Sequence, residues 1–501
     1  MIGLTAPRDL DRFSEAITRR LGLQFEDAKL GFLGEVLQRR LETLNRPLET
    51  YLRMLETQSC DGELRPLAQE LTVAETYFFR NIEQFRALAE IALPGRMRVR
   101  SPDRALRILS AACASGEEAY SIAVVVRETI ADPSWQVSIR AVDLNPAVLE
   151  KAARAHYSTW SLRETTPEAR LKWFRQDGRD MILDEAVRRA VDFEVRNLAT
   201  DDPDLWRPGA YDVVFCRNVL MYFSPEQARA VIARIARSLA PGGYLFLGHA
   251  ETLRGVSDDF HLRHTHGAFY YERKDEIGPP VAREAYVAPA SIAPATSVET
   301  FSEAWFDAIR EASERVEALT AKSAARPVRP PTRRAWDLGP ALDLMRRERF
   351  TEALSSVRHL PAESEHDPDA LLLQAMLLAH GGAFSDAEGV CRRLLAIDEL
   401  NAGAHYALAL CREGVADRDG AAEHDRVAVY LDPAFAMPRL HLGLLARHAG
   451  DRGGARRELA QALVLLKREE ASRLLLFAGG FNREALIMLC RSALLACGGQ
   501  P

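Results

Sequence analysis

Four alanines, Ala353, Ala387, Ala421 and Ala455, follow one another at intervals of 34 residues. A second small-residue column, Ala341, Ala375, Ala409 and Gly443, keeps the same period twelve positions earlier. A fixed period of this length means repeated supersecondary units that bury their apolar faces only against one another. Small side chains in both columns suit the points where the two helices of a hairpin approach closely. Turn signals, Gly381–Gly382, Gly414 and Ala449–Asp451, fall between the columns. The last third of the chain, 334–501, is therefore expected to be an α-helical solenoid with C-terminal helices.

The remainder has a different texture. A chain of 501 residues has length for about three domains. Apolar residues at 47% and charged residues at 27% are ordinary soluble usage. From Arg8 to about Leu93 apolar residues recur at helical spacing, as in Phe13, Ile17, Leu21 and Phe32, Val36, Leu37, Leu41. This predicts a small all-helical domain over 1–92. Between Leu106 and Lys274 short β-rich runs alternate with helical patterns: LRILSA, VSIRAVD, VDFEVRNL, YDVVFCRN, GGYLFLGH and HGAFYYERK. Such alternation predicts a mostly parallel sheet with helices on both faces, a domain over 93–275. Residues 276–333 are rich in Pro and Ala and read as a linker, interrupted by a helix at 301–320 that carries Phe301, Trp305, Ile309, Val316 and Leu319 on one face.

Charge and cysteine usage narrow the function classes. Sixty-five basic against seventy-one acidic residues leave a net charge of −6, so no global positive field favours nucleic acid. The N-terminus lacks an apolar signal core, and no stretch reaches eighteen uncharged apolar residues, so a cytoplasmic protein without membrane insertion is expected. Seven cysteines without a CxxC pair suggest neither a disulfide framework nor a zinc site.

The residues with chemical content cluster in the middle domain. ILSAACASGEEAYSIAVVV reads as a strand, a tight turn at Ala114–Gly116 and a helix opening with Glu117 and Glu118. The dinucleotide fingerprint GxGxxG is absent, and two carboxylates stand where a pyrophosphate would bind, which disfavours NAD and FAD. S-adenosylmethionine suits the turn better, because its sulfonium and ammonium are offset by acidic side chains. Asp143, at the end of the next strand, is placed to accept ribose hydroxyls, although an acid there also caps helices. YDVVFCRNVLMYF ends a buried run with Arg217, Asn218 and Tyr222 at the carboxyl edge, where ligands of open α/β sheets bind. Upstream, LTVAETYFFRN sets Arg80 beside an aromatic cluster, where a guanidinium can orient a carboxylate.

Two resemblances follow from these residues. The 34-residue period, with Asp432 and Pro433 closing the third unit, resembles tetratricopeptide repeats, although the tryptophan and tyrosine positions of that pattern are poorly filled and the first unit is degenerate. Over about residues 8–274 the chain resembles the chemotaxis receptor glutamate O-methyltransferases. LTVAETYFFRN, SAACASGEEAYSIA, AVDLNPAVLEKA, FCRNVLMYF and LAPGGYLFLGHAE occur in that family's order. The resemblance implies a helical N-terminal domain that engages the receptor and a Rossmann-like class I S-adenosylmethionine-dependent methyltransferase domain, with a small β-subdomain within 157–195. It assigns cofactor contacts to Thr76, Arg80, Glu117, Asp143, Asn197, Leu198, Arg217 and Asn218, and catalytic positions to Arg80 and Tyr222. Ala74 and Asn145 depart from the family's residues. His249 and Glu251 in GHAE match it, but two such residues do not make a metal site, and a structural role is expected.

The reaction so implied transfers a methyl group from S-adenosylmethionine to glutamate carboxylates on chemoreceptor helices. Glutamate is already ionised near neutral pH, so the absence of an evident His–Asp base is consistent with it. Arg19, Arg20, Arg39, Arg40 and Arg53 are candidates to meet an acidic receptor surface, and the repeats would dock a further peptide or protein. Competing readings are a repeat-based signalling scaffold with weak or lost activity, and a class I methyltransferase with another acceptor.

Overall fold

A computed structural model describes residues 7–25, 30–57, 61–72, 75–249, 251–275, 337–347 and 349–498. The chain divides into two compact units, Met1–Tyr286 and Val287–Pro501. The helix expected at 301–320 and the position of Ala74 lie outside the described residues.

The first unit begins with four helices, α1 (Pro7–Leu21), α2 (Leu30–Leu44), α3 (Leu48–Glu56) and α4 (Asp61–Leu71). Their apolar stripes meet in a core of Phe13, Ile17, Leu33, Val36, Tyr51, Leu52 and Leu67. Within it lies a buried ion pair. Arg40 is held at 2.8 Å by both carboxylate oxygens of Glu63, which also accepts the Tyr51 hydroxyl at 2.8 Å. This corrects one expectation: Arg40 is buried structure, not docking surface, and Arg39 and Arg53 are engaged by Glu70 and Glu49.

After α5 (Ile82–Ala87), a π-helical turn and α6 (Leu93–Val99), the chain enters an open sheet. Its strands are β1 (Ala105–Ala111), β2 (Gln136–Asp143), β6 (Val191–Val195), β7 (Tyr211–Cys216), β8 (Leu239–Leu247), β9 (Phe260–Thr265) and β10 (Ala268–Arg273), in the order β6-β2-β1-β7-β8-β10-β9. Pairing is parallel from β6 to β8, and β10 runs antiparallel between β8 and β9. Every residue of β7 is buried, as a central strand covered on both faces requires. The covering helices are α7 (Glu117–Thr129), α8 (Pro146–Arg154) and α11 (Pro225–Ser238). The chain builds outward through β1, β2 and β6, then returns to β7 on the other side of β1. This leaves a crevice at the carboxyl ends of β1 and β7, the switch point where such sheets bind ligands.

A second, three-stranded sheet in the order β3-β5-β4 is formed by β3 (His156–Ser158), β4 (Phe174–Asp177) and β5 (Asp180–Leu183), with α9 (Pro167–Trp173) inserted and α10 (Glu185–Arg188) following. Phe78 anchors it, packing edge-on against Tyr157 at 4.8 Å and Phe174 at 4.9 Å.

In the second unit four helix pairs follow one another: α12 (Gly339–Arg346) with α13 (Phe350–Arg358), α14 (Pro368–His380) with α15 (Phe384–Ile397), α16 (Ala402–Gly414) with α17 (Arg418–Leu431), and α18 (Ala436–His448) with α19 (Arg452–Leu466). Two more helices close the chain, α20 (Ala471–Phe477) and α21 (Arg483–Ala496). The alanines of both 34-residue columns are buried. At the glycine in the second column the reason is explicit, since a Cβ on Gly443 would stand 2.6 Å from Leu459 Cγ of the partner helix. The unit is a tetratricopeptide-like helical repeat.

Candidate active site at the carboxyl edge of the sheet

The crevice between β1 and β7 opens into a single cavity whose walls come from six separate stretches of chain. The turn after β1 supplies the floor. Ala112, Ala114 and Gly116 all have positive φ, at 59°, 48° and 92°, and only glycine fits the last, because a Cβ there would lie 2.8 Å from Ala152 Cβ. The tight turn brings backbone close to any ligand and aims α7 at the cavity.

Asp143, at the end of β2, is buried and spans this turn. One carboxylate oxygen accepts the Ala114 N–H at 2.9 Å and the other accepts the Asn145 N–H at 2.8 Å. Burial pushes its pKa up, while these backbone donors pull it back. Each oxygen keeps further acceptor capacity toward the cavity it lines. Asn145 caps α8, accepting from Ala147 and Val148, and donates to Thr72 of the helical layer at 3.0 Å. A neutral amide there is a cap and a tether.

The two glutamates that open α7 take different places. Glu118 lines the cavity, accepts from Ser110 at 2.7 Å and pairs with Arg217 at 3.3 Å. Glu117 is buried against the Ser115 hydroxyl at 2.7 Å and does not line the cavity. Of the two, it is Glu118, not the Glu117 favoured from the sequence, that lines the cavity. Burial raises the pKa of Glu118, and Arg217 and Ser110 act against that rise.

Arg217 does more than face a ligand. Its guanidinium donates to the Arg80 carbonyl and, at 2.9 Å, to Asn81 Oδ1, fastening the segment before α5 onto the sheet edge. Its Nε is buried without a hydrogen-bond partner among the described residues, a donor the fold itself leaves unsatisfied. Asn218 follows with φ 57°. The loop from Asn218 to Leu220 is gathered by one buried carboxylate, Glu251, which accepts from Gly248 at 2.8 Å, Asn218 at 2.7 Å and Leu220 at 2.9 Å. The structural role expected for Glu251 is this cradle.

The remaining wall comes from the helical layer. Gln24 donates its N–H to the Tyr222 carbonyl at 2.8 Å, and Leu23 and Phe223 form an isolated bridge. Gly22, with φ 81°, makes the crossing feasible, since a Cβ there would lie 2.6 Å from Ala199 Cβ. Asn197 donates to the Arg20 carbonyl at 3.2 Å and so ties the end of α1 to the loop after β6. Thr76, Arg80, Asp143, Asn197, Leu198, Arg217, Asn218 and Tyr222 all line the one cavity, together with Glu118. The contributions of Leu23, Gln24 and Phe25 had no local signal beyond the glycine at position 22, because their partners lie some two hundred residues away in sequence.

A crevice at the switch point, a strand-end acid and a helix N-terminus occupied by buried carboxylates define a Rossmann-like methyltransferase site. Comparison agrees: residues 74–269 match the family model described as CheR methyltransferase, SAM binding domain. Chemotaxis protein methyltransferase 2 of Vibrio cholerae is 35% identical over 264 residues, covering 51% of this chain and 89% of that protein. The chemotaxis protein methyltransferase of Vibrio parahaemolyticus is 40% identical over 274 residues, 53% of this chain and 96% of its own length. The probable biofilm formation methyltransferase WspC of Pseudomonas putida is 30% identical over 447 residues, covering 89% of this chain and 96% of that protein. The chain belongs to the CheR family of chemotaxis protein methyltransferases. Among solved structures, PcrH from Pseudomonas aeruginosa is similar to the repeats at 18% identity and a TM-score of 0.23, covering 28% of this chain and 96% of that one. The repeat assignment rests on the helix pairs and their two small-residue columns.

The cofactor of this family domain is S-adenosylmethionine, and the cavity suits it. Glu75, Glu118 and Asp143 line the same space as Arg80 and Arg217. That mixture matches a molecule with a sulfonium, an ammonium and a carboxylate. Leu144, Val148 and Leu198 add apolar surface for a base. Among the described residues no helix is long and apolar enough to cross a membrane.

Proposed function

We propose that the chain methylates glutamate side chains on the cytoplasmic helices of chemoreceptors, as a protein-glutamate O-methyltransferase acting in the cytoplasm. One observation carries the reading: Arg80 and Tyr222, brought together from distant parts of the first unit's sequence, line one cavity with Asp143 and Glu118. S-adenosylmethionine, when bound, supplies a methyl group on a positively charged sulfur.

In this reading Asp143 accepts from the ribose hydroxyls, and Glu118 offsets the cofactor's ammonium. Thr76, Asn197, Leu198, Arg217 and Asn218 complete the cofactor contacts. Arg80 orients the acceptor carboxylate, and Tyr222 hydrogen-bonds beside the reacting centre. A carboxylate oxygen of the receptor forms the new C–O bond while the C–S bond breaks, its electron pair staying on sulfur. No base is needed, because a glutamate with a pKa of about 4.3 is already ionised. The residues work by alignment: holding the reacting atoms roughly 3–3.5 Å apart supplies several kcal/mol of the barrier. Esterification removes negative charge between packed receptor helices and shifts their signalling equilibrium.

The same proposal divides the chain into a receptor-engaging helical domain at 1–92, a catalytic domain at 93–275, a linker at 276–333 and docking repeats at 334–501. Two features support the docking role, the helix pairs themselves and the match of WspC, named a biofilm formation methyltransferase, across 89% of the chain.

The test is transfer from radiolabelled S-adenosylmethionine to chemoreceptor signalling domains, followed by mild base. Base-labile label on receptor is expected, with loss of turnover in Arg80→Ala and Tyr222→Phe at saturating acceptor. Cofactor binding without label across a full receptor panel would refute the receptor reading. Unchanged turnover in both variants would refute the roles assigned to Arg80 and Tyr222.

A further inference from the structure

In a stack of helix pairs the first helix of each pair lines the concave side, the surface such solenoids use for binding. Here that side already carries a helix of the same chain. Helix α20 follows the last pair, yet its side chains reach back to the first. Leu475 and Leu476 pack against the cluster of Ala341 and Met345 on α12 and Leu373 and Leu377 on α14. Phe477 packs at 5.9 Å on Tyr406 of α16 and at 4.7 Å on Phe435, which precedes α18. A Cβ on Gly403 of α16 would stand 2.9 Å from the Phe477 ring. Past the helix, Gly479 passes His380 of α14 and Gly480 passes Phe350. Residues 473–480 thus touch the first three pairs and Phe435 at the entry to the fourth.

One polar anchor fixes the register. Arg473 pairs with Asp432 at 3.0 Å and Glu469 at 3.3 Å, with its guanidinium 4.4 Å over the Phe435 ring. A second polar contact is the hydrogen bond between His380 of α14 and the Leu476 backbone; the remaining contacts are aliphatic and aromatic.

The strap is separate from the element that closes the solenoid. Helix α21 packs on α19, burying Leu486, Ala493 and Leu494, with Cys490 Sγ 3.1 Å from the Leu459 carbonyl. The end of the stack is therefore covered without α20. Helix α20 has seven residues, too few to be stable undocked, and leads into Gly479 and Gly480 at φ 61° and 89°. Beside it the groove continues as an apolar cavity walled by Leu410, Met437, Leu440 and Leu444, with Phe481 60% exposed at its rim.

We propose that residues 470–481 are a built-in occupant of the repeat groove, and that its external partner is a short amphipathic helix of the same chemistry, a basic residue followed by a Leu- and Phe-rich face, which binds by displacing the strap. The strap shows what the groove accepts: a guanidinium at Asp432 and Glu469, an aromatic ring between Tyr406 and Phe435, and aliphatic side chains toward α12. Because it is tethered, its effective concentration is in the millimolar range, so a partner's apparent affinity is lowered by the small fraction of open groove. The solenoid then responds only to a partner that outcompetes the strap. This inference is independent of the methyl acceptor.

Two measurements on the full chain test it. Hydrogen exchange should show amides 472–478 opening while α14 to α19 stay protected. A fluorescent peptide EEASRLLLFAGGFN, the sequence of 469–482, should bind Phe477→Ala at least tenfold more tightly than the unaltered chain. The same peptide with its phenylalanine at the 477 position replaced by alanine should lose that gain. Exchange of 472–478 only together with the neighbouring helices would make the strap part of the core and overturn the proposal. So would equal peptide binding by a folded Phe477→Ala chain and the unaltered one. If Phe477→Ala does not fold, the exchange pattern of the unaltered chain decides alone.

Discussion

Glu251→Gln isolates how the cavity loop is held. The native carboxylate receives backbone donors from Gly248 and Asn218 on one oxygen and from Leu220 on the other, with the Met221 N–H adding to them. A glutamine side chain offers one oxygen. Its better orientation keeps the Gly248 and Asn218 bonds and turns an NH2 toward the Leu220 N–H. The two surviving bonds lose charge assistance, about 1 kcal/mol each, and a buried donor left unpaired costs about 1–3 kcal/mol. The first unit should lose about 3–5 kcal/mol, a large share of ordinary domain stability. Amides 218–222 should exchange faster, and methyl transfer should fall because Asn218 and Tyr222 are no longer held in place. Guanidinium unfolding, read together with hydrogen exchange of that segment, measures both effects. The refuting result is a silent variant. Burial pushes the Glu251 carboxyl up while its backbone donors hold it down. If the carboxyl were neutral in the folded state, glutamine would be a near-isosteric replacement, and stability would change by less than about 0.5 kcal/mol.

Two further outcomes are expected. Glu118→Gln should weaken S-adenosylmethionine binding roughly tenfold in calorimetry, the equivalent of one charged hydrogen bond, and Glu117→Gln should weaken it less; the reverse order would return the contact to Glu117. In the repeats, His441 stands 2.9 Å from Glu413 and 2.7 Å from Asp425. Burial opposes its charge, but the two carboxylates outweigh it and raise the pKa from 6.5 to about 10. The folded state therefore holds this proton more tightly than the unfolded chain. Its stabilisation is complete below pH 6.5 and is lost as pH rises through about 10. The melting temperature of the repeat unit should fall over that window, and His441→Ala should flatten the fall; identical profiles for the two proteins would remove His441 as the cause.

Much of the site was legible because its pieces are local. A strand, a turn with Gly116 and a helix opening on acids lie within one stretch, and Arg217, Asn218 and Tyr222 follow a fully buried strand directly. The choice between Glu117 and Glu118 was not legible, because adjacent helical residues point about 100° apart and tertiary packing decides which direction is inward. Arg40 looked like surface charge because Glu63 and Tyr51, which bury it, come from two later helices. The antiparallel strand β9 was missed as well. Its sequence FHLRHT is half exposed and lacks the apolar run of its neighbours.

Sequence alone determined whatever depends on repetition and alternation: the 34-residue helix pairs, the strand–helix rhythm of the methyltransferase domain, and the acidic turn that suits S-adenosylmethionine. These are short-range consequences of side-chain size and polarity, repeated often enough to be read. Tertiary structure alone decided what one segment does to another far away. It set Leu23–Phe25 against Tyr222–Phe223, put Glu251 beneath the cavity loop, and laid residues 470–481 across the repeats. Each of these pairings depends on which apolar faces remain unburied once the local elements have formed, and that is a property of the whole packed unit.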